Sequence, residues 1–289
     1  GGLDNSDFGN TMIGSEAGEN NVSHSNVCIG RSSGKGGSSY NQCVIIGAYS
    51  GLTNNAGNNT FIGHSTGRVN TTGSGNVFLG TSAGYNNTGT NNTFIGYISG
   101  KNNTSGQYNI FLGQGSGNNN TTGNFNLCLG YEAGIANTSG DKMTCIGYKA
   151  GYSSTTVDAN TYIGYLSGYS NVTGIKNTFI GYAAGYYNTS NENTYVGYQS
   201  AGCVAGCGIS TSSATCNTFL GSETGYSVDT SSYNTFIGRQ SGYSTTTGQS
   251  NTFVGYISGF YNTTGTQNVY LGLQAGRYAT TSSENVYIG

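Results

Sequence analysis

Apolar and polar positions recur along this chain with a period of 16 or 17 residues. The recurring core is Asn, a β-branched residue, an aromatic or Cys, an aliphatic, then Gly, as in NTFIG at Asn59–Gly63 and NVFLG at Asn76–Gly80. The closing glycines give 17 copies from Gly14 to Gly289, and one interval, between Gly197 and Gly221, lengthens to 24 residues. A period this short predicts a solenoid, in which each repeat is one rung that cannot bury its apolar face alone. Three or four residues of β propensity bounded by turn residues read as a short strand. A second Gly (Gly67, Gly84, Gly100) follows a small residue (Thr66, Ala83, Ser99), and an Asn-Thr-Thr-Gly or Asn-Thr-Ser-Gly segment closes the rung as a turn. The fold class predicted is all-β: a parallel β-solenoid, a narrow β-roll of 17 rungs of about 17 residues. It forms one repeat domain over 1–289, interrupted by a Cys-rich loop over 201–216. At the strand spacing, 17 rungs would extend roughly 80 Å. A helix is excluded by the Gly and β-branched content and by the lack of a 3.6 period.

The strand does not alternate apolar with polar. Its fourth place is Ile, Leu or Val, and its third is an aromatic in most copies, including Phe61, Phe78, Phe94, Phe111, Phe179, Phe219, Phe236 and Phe253. Successive side chains point to opposite faces, so both faces are apolar. One face fills the coil and the other needs cover, since a continuous exposed apolar stripe marks an interaction surface. The expectation is that the aliphatic column fills each coil. The aromatic column then forms a seam between identical chains, with three around a common axis. A single chain with tyrosines lying over its surface is the alternative.

Composition narrows the partners. Only 7% of residues are charged, the formal net charge is −2, and Pro and Trp are absent. That balance argues against nucleic acid and against a polybasic membrane surface. No run of 18 apolar residues suggests membrane insertion and no signal peptide is visible, so the start at Gly1 reads as a mature product or a fragment. Low charge suits stacked rungs, where like charges would repel along a column. Neither a catalytic constellation nor a cofactor or metal set is legible. The two histidines, His24 and His64, lie far apart, and the 11 acids are scattered. The reading is therefore non-enzymatic.

The repeat N-[TV]-[FY]-[IL]-G-Y-x-[AS]-G-Y-x-N-T-[TS]-G resembles repeats of trimeric bacterial surface adhesins and of phage tail-fibre-like proteins, from Asn10 to Gly289. The resemblance implies an extracellular or virion-fibre segment, a left-handed homotrimer used for attachment, in a cell-surface setting. The expected function is a structural, adhesive fibre segment associating laterally and, through uncapped ends, end to end into a filament. Alternatives are a tail-fibre region that binds cell-surface glycans or a receptor through the 201–216 loop or the outward tyrosines (Tyr97, Tyr131, Tyr148, Tyr165, Tyr182, Tyr198, Tyr256), and an ice-binding Thr ladder (Thr71, Thr88, Thr104, Thr121, Thr138).

Two further sets of residues are singled out. Cys203, Cys207 and Cys216 fall in the long interval. A disulfide from Cys216 to Cys203 or Cys207 fits better than zinc, because neither a fourth ligand nor a His is near. Cys28, Cys128 and Cys145 take the aromatic place and read as small buried hydrophobes. Cys128 with Cys145, or Cys28 with Cys43, leaves a cross-rung bridge open. Asn-x-Ser/Thr sequons begin at Asn70, Asn102, Asn119, Asn137, Asn171, Asn188 and Asn262. They coincide with the closing turn, which accounts for them structurally, with glycan decoration as the lesser reading.

Overall fold

The computed structural model describes residues 9–202 and 213–289. It divides into two compact units, Gly1–Lys142 and Met143–Gly289. The described residues hold 17 strands of three residues each and no helix. The first unit carries β1 (Thr11–Ile13) through β8 (Leu127–Leu129), and the second carries β9 (Thr144–Ile146) through β17 (Val286–Ile288). Within each unit every strand pairs in parallel with the equivalent strand one repeat along, so like residues stack: Phe61 on Phe78 and Ile62 on Leu79 in the first, Phe236 on Phe253 and Ile237 on Val254 in the second. The fold is a parallel β-solenoid, as the period predicts.

The expected assignment of the two strand faces is reversed. Phe61, Phe78, Phe94, Phe111, Phe179, Phe219, Phe236 and Phe253 have 0% of their surface exposed, each inside its own coil. They cannot form a seam between chains. The aliphatic column points outward, with Leu79 44% and Leu220 48% exposed. The cause lies six residues downstream, at the second corner. Gly67 has φ +55°, and a Cβ there would meet the Phe61 ring at 2.7 Å. Gly100 (φ +54°) stands against Phe94 in the same way, at 2.6 Å. The ring occupies the room that the missing side chain leaves, and Gly takes that left-handed turn without strain.

A three-residue strand sends one side chain inward, so the coil is thin and its aromatics stack along the axis. Phe61–Phe78, Phe78–Phe94 and Phe94–Phe111 have centroids 5.0, 4.8 and 4.9 Å apart with planes within 7°. Each buried ring is worth about 2–3 kcal/mol from area alone. Stacking adds roughly 0.5–1.5 kcal/mol per pair.

Much of the rest of the interior is polar, and its asparagines are satisfied in ladders, while the buried Ser200, Ser231 and Thr245 hydroxyls have no partner. The first-place Asn gives its side-chain oxygen to the next rung: Asn76 N–H donates to Asn59 Oδ1 at 2.9 Å, Asn92 N–H to Asn76 Oδ1 at 2.8 Å, and in the second unit Asn251 N–H to Asn234 Oδ1 at 2.9 Å. The Asn of the closing turn forms a second ladder, Asn120 Nδ2 donating to Asn103 Oδ1 at 2.6 Å and Asn137 Nδ2 to Asn120 Oδ1 at 2.8 Å. Both Asn types converge on the turn Gly. The Gly73 carbonyl accepts from Asn59 Nδ2 at 2.8 Å and Asn70 Nδ2 at 2.7 Å. Buried amides are tolerable because their hydrogen bonds are made.

In two of the rungs that lack the aromatic ring, larger residues stand at other inward places. Cys28 takes the aromatic place, and Tyr40 takes the place of the turn Gly. The Tyr40 hydroxyl lies 3.4 Å from Cys28 Sγ and donates to the Gly34 carbonyl at 2.8 Å. In the rung of Cys145, buried Met143 and Val157 replace the ladder Asn and the turn Gly. Tyr162 needs room for its hydroxyl, which accepts from Asn171 Nδ2 at 2.6 Å; the preceding rung carries Ser154 where Asn would stand.

Candidate interaction surface

The outer face of each strand presents its second and fourth places. In the first unit these include Val77, Leu79 and Ile110, each 42–44% exposed, and in the second Leu220. Most other members of the two columns are half-buried, and the second place is Thr in ten of the 17 strands, so the shallow apolar ridge that repeats rung after rung is the fourth-place column of Ile, Leu and Val. It is contiguous apolar surface of the kind that marks a contact site. This aliphatic stripe replaces the aromatic column as the candidate seam.

The predicted outward tyrosines are outward. Tyr148, Tyr165, Tyr182 and Tyr198 are 41–50% exposed and stack at 5.1–5.2 Å, with planes within 15°. A second row, Tyr152, Tyr169 and Tyr186, stacks at 4.9–5.0 Å. Lys149 lies between the rows, its Nζ 5.5 Å from the Tyr148 centroid and 4.9 Å from that of Tyr152. Burial raises the Tyr186 pKa, and neighbouring phenols add to the rise. Stacking changes what these rings can do. Their flat faces cover one another along the axis, so a sugar ring has no open face to lie on within the row.

The closing-turn threonines are also engaged. Thr104 Oγ1 donates to the Thr121 carbonyl at 2.9 Å, and Thr121 Oγ1 to that of Thr138 at 2.8 Å. Their hydroxyl hydrogens run along the ladder and not toward solvent.

Five of the seven sequon asparagines lie inside the coil. Asn70, Asn137, Asn171, Asn188 and Asn262 are at most 1% exposed, with Asn70 and Asn137 in the closing-turn ladder, Asn171 and Asn188 donating to the Tyr162 and Tyr195 hydroxyls and Asn262 bonded to Gly265, so the folded chain offers no amide nitrogen there for a glycan. Asn102 and Asn119 face outward, in a surface row where Asn102 Nδ2 donates to Asn119 Oδ1 at 3.3 Å. The distinction was largely legible in the repeat: four of the five buried ones stand three residues before the turn Gly, and Asn188 stands two before Ser190, which takes that place in a shorter turn.

Cys203 and Cys207 lie outside the described residues. Cys216 is a half-exposed thiol, its Sγ 3.6 Å from Glu192 Oε2. Cys28, Cys43, Cys128 and Cys145 are buried and none forms a disulfide. Cys43 is not stacked on Cys28, which pairs with Ile45. Instead Cys43 stands in the Asn ladder: its N–H donates to Asn26 Oδ1 at 3.0 Å, and its Sγ accepts the Asn59 N–H at 3.4 Å. Burial pushes the Cys43 thiol up to about 11 and raises Cys28 as well. The His24 ring lies 3.2 Å from the neighbouring Ser25 hydroxyl, and His64 sits edge-on to Tyr49 at 6.0 Å.

Among the described residues no group of three or more His, Cys, Asp or Glu is placed to hold a metal ion, and no helix is long and apolar enough to cross a membrane. No protein-family model, curated protein or solved structure matches this chain.

Proposed function

We propose that this chain is a structural, adhesive segment of an extracellular fibre, built to associate laterally with copies of itself. The outward aliphatic ridge carries the reading. A column of Ile, Leu and Val exposed in rung after rung is a poor surface to leave wet, and the partner that matches its repeat is another copy of the same chain. Three chains around an axis, each a left-handed coil, follow from the resemblance to trimeric adhesin and tail-fibre repeats. In that arrangement the ridges of the three chains meet at the centre while the tyrosine rows stay outside. The role is mechanical: hydrogen-bond ladders run along each coil, and apolar contact joins coils across the axis. No substrate or cofactor is needed.

The test is mass in solution. Light scattering of the purified chain is expected to give three chain masses. Replacing three successive ridge residues, Leu79→Lys, Ile95→Lys and Leu112→Lys, is expected to give one chain mass with the β-type circular dichroism unchanged. A parent protein that runs as a single chain would overturn the reading.

A further inference from the structure

Between Glu19 and Glu132 the chain has no acidic residue, while Arg31, Lys35, Arg68 and Lys101 all lie in that stretch. The solenoid collects these four cations on one side of the first unit. The backbone ladder sets Lys35, Leu52, Arg68, Tyr85 and Lys101 in one column. Gly36 N–H donates to the Leu52 carbonyl at 2.6 Å, Thr53 N–H to Arg68 at 3.0 Å, Val69 N–H to Tyr85 at 2.9 Å and Asn86 N–H to Lys101 at 2.9 Å. Cations therefore stand on alternate rungs, roughly 10 Å apart, twice the strand spacing. Arg31 joins them from the other side of the corner. Its Cζ lies 4.5 Å from the Tyr49 centroid, and that of Arg68 lies 5.3 Å from the same ring, so Tyr49 is shared by two guanidinium groups. Arg68 also reaches Tyr85, at 5.7 Å.

Lys35 is already matched. Its Nζ lies 2.9 Å from Glu16 and 3.1 Å from Glu19, which raises its pKa and lowers that of Glu16. Arg31, Arg68 and Lys101 form no ion pair among the described residues, although the charge of Arg31 reaches Glu16 and helps lower its pKa. Cation–π contact fixes the two arginines over rings while leaving guanidinium N–H edges free to bind an anion.

We infer that this side of the first unit is a binding surface for an anionic polysaccharide, one bearing a carboxylate or sulfate on alternate sugars. The charge spacing decides against nucleic acid, whose phosphates fall every ~3.4 Å along a duplex strand and call for a dense basic stripe. A chain molecule with sparse anions lies along the column and meets the unmatched Arg68 and Lys101 two rungs apart, with Arg31 beside Tyr49. Arg31 and Arg68 supply forked donors to its anions, and Lys101 supplies a point charge. The inference stands apart from self-association, because it needs only the first unit's own side chains.

Binding is read on immobilised hyaluronan (carboxylate only), chondroitin sulfate (carboxylate and sulfate), neutral dextran and oligothymidylate, with light scattering on each sample. The intact protein is expected to bind one or both anionic polysaccharides, more weakly as salt rises, and to ignore dextran. The double substitution Arg31→Gln/Arg68→Gln is expected to weaken binding about tenfold, with mass and circular dichroism unchanged. Adding Lys101→Gln weakens it further, and Arg239→Gln in the second unit leaves it unchanged. Stronger binding to chondroitin sulfate identifies sulfate as the preferred anion. Equal binding by parent and double variant, no binding to either polyanion, or tighter binding to oligothymidylate would each overturn the inference. Loss of mass without loss of binding would count against self-association alone.

Discussion

Asn92 Oδ1 accepts the backbone N–H of Asn109, one rung along, at 2.9 Å, while its Nδ2 donates to the Gly106 carbonyl of its own rung, also at 2.9 Å. One side chain thus ties two rungs together and closes the turn of the first. Truncation should separate these roles. Asn92→Ala orphans a buried N–H, whereas the Gly106 carbonyl keeps its bond from Asn103 Nδ2 at 2.9 Å. A loss of about 2–3 kcal/mol in urea unfolding is expected, mostly from the orphaned donor. Asn92→Cys should lose less, because Cys43 already accepts the following N–H through sulfur. Equal losses for both variants would mean that the ladder bond contributes little.

Cys28 and Tyr40 form a natural swap of volumes. Tyr40→Gly alone should leave a void beside a small thiol, at about 3–5 kcal/mol. Cys28→Phe alone should crowd a space that the Tyr40 ring fills, at roughly 1–3 kcal/mol. Together they restore the aromatic and turn Gly found in most rungs. The double variant is expected to be more stable than either single one, with a coupling of a few kcal/mol between residues in contact. Additive losses in thermal melts would show that the two sites do not share the space.

Much of this architecture was legible because the period forces it: in-register parallel stacking, two glycine corners and the closing turn all follow from repeats of fixed length. The choice of inner face was not. Phe61 and Ile62 are both apolar, and hydrophobicity alone does not rank them. The deciding sign was the Gly six residues after the aromatic, since Gly67 accommodates the ring and nothing comparable faces Ile62. The sequons read as closing-turn residues, and what the sequence did not show was their burial. Asn70 looks like a polar turn residue, yet it is wholly buried because the turn folds its amide inward onto Gly73. The cationic column was hidden by distance in sequence: Arg31 and Arg68 are 37 residues apart and meet only because the rungs stack them around Tyr49.

The third corner position carries ordinary residues in a left-handed conformation. Ile98 has φ +52° and Ile257 φ +49°. β-Branched residues pay heavily in that region, about 1–2 kcal/mol or more, whereas Asn and Gly do not. The fold holds them there because the neighbouring rungs fix the backbone: Ile98 N–H donates to the Thr81 carbonyl at 3.0 Å, and Ile257 N–H to that of Arg239 at 3.0 Å. Ile98→Asn is expected to raise stability by about 1 kcal/mol, seen as a higher urea midpoint. A lower midpoint would show that outward packing of the isoleucine outweighs the strain.

Alkaline pH should loosen the first unit through its buried thiols. Cys43 is pushed up from 9.0 to about 11, chiefly by burial. The folded state therefore holds the proton more tightly than the unfolded chain. Stability from this group is complete below pH 9, where both states are protonated, and falls as pH rises through 9 to about 11. The full effect is roughly 2–3 kcal/mol. Cys43→Ser, a smaller group that keeps a hydrogen-bonding atom in the ladder and does not ionise in this range, should flatten the decline between those limits even if its neutral-pH stability is lower. In a Cys203→Ser/Cys207→Ser background, alkylation at pH 8 should mark Cys216 first and reach Cys28 and Cys43 only as the chain unfolds. Rapid labelling of Cys43 in the folded protein, or a pH decline that Cys43→Ser leaves untouched, would show that its thiol does not carry the alkaline sensitivity.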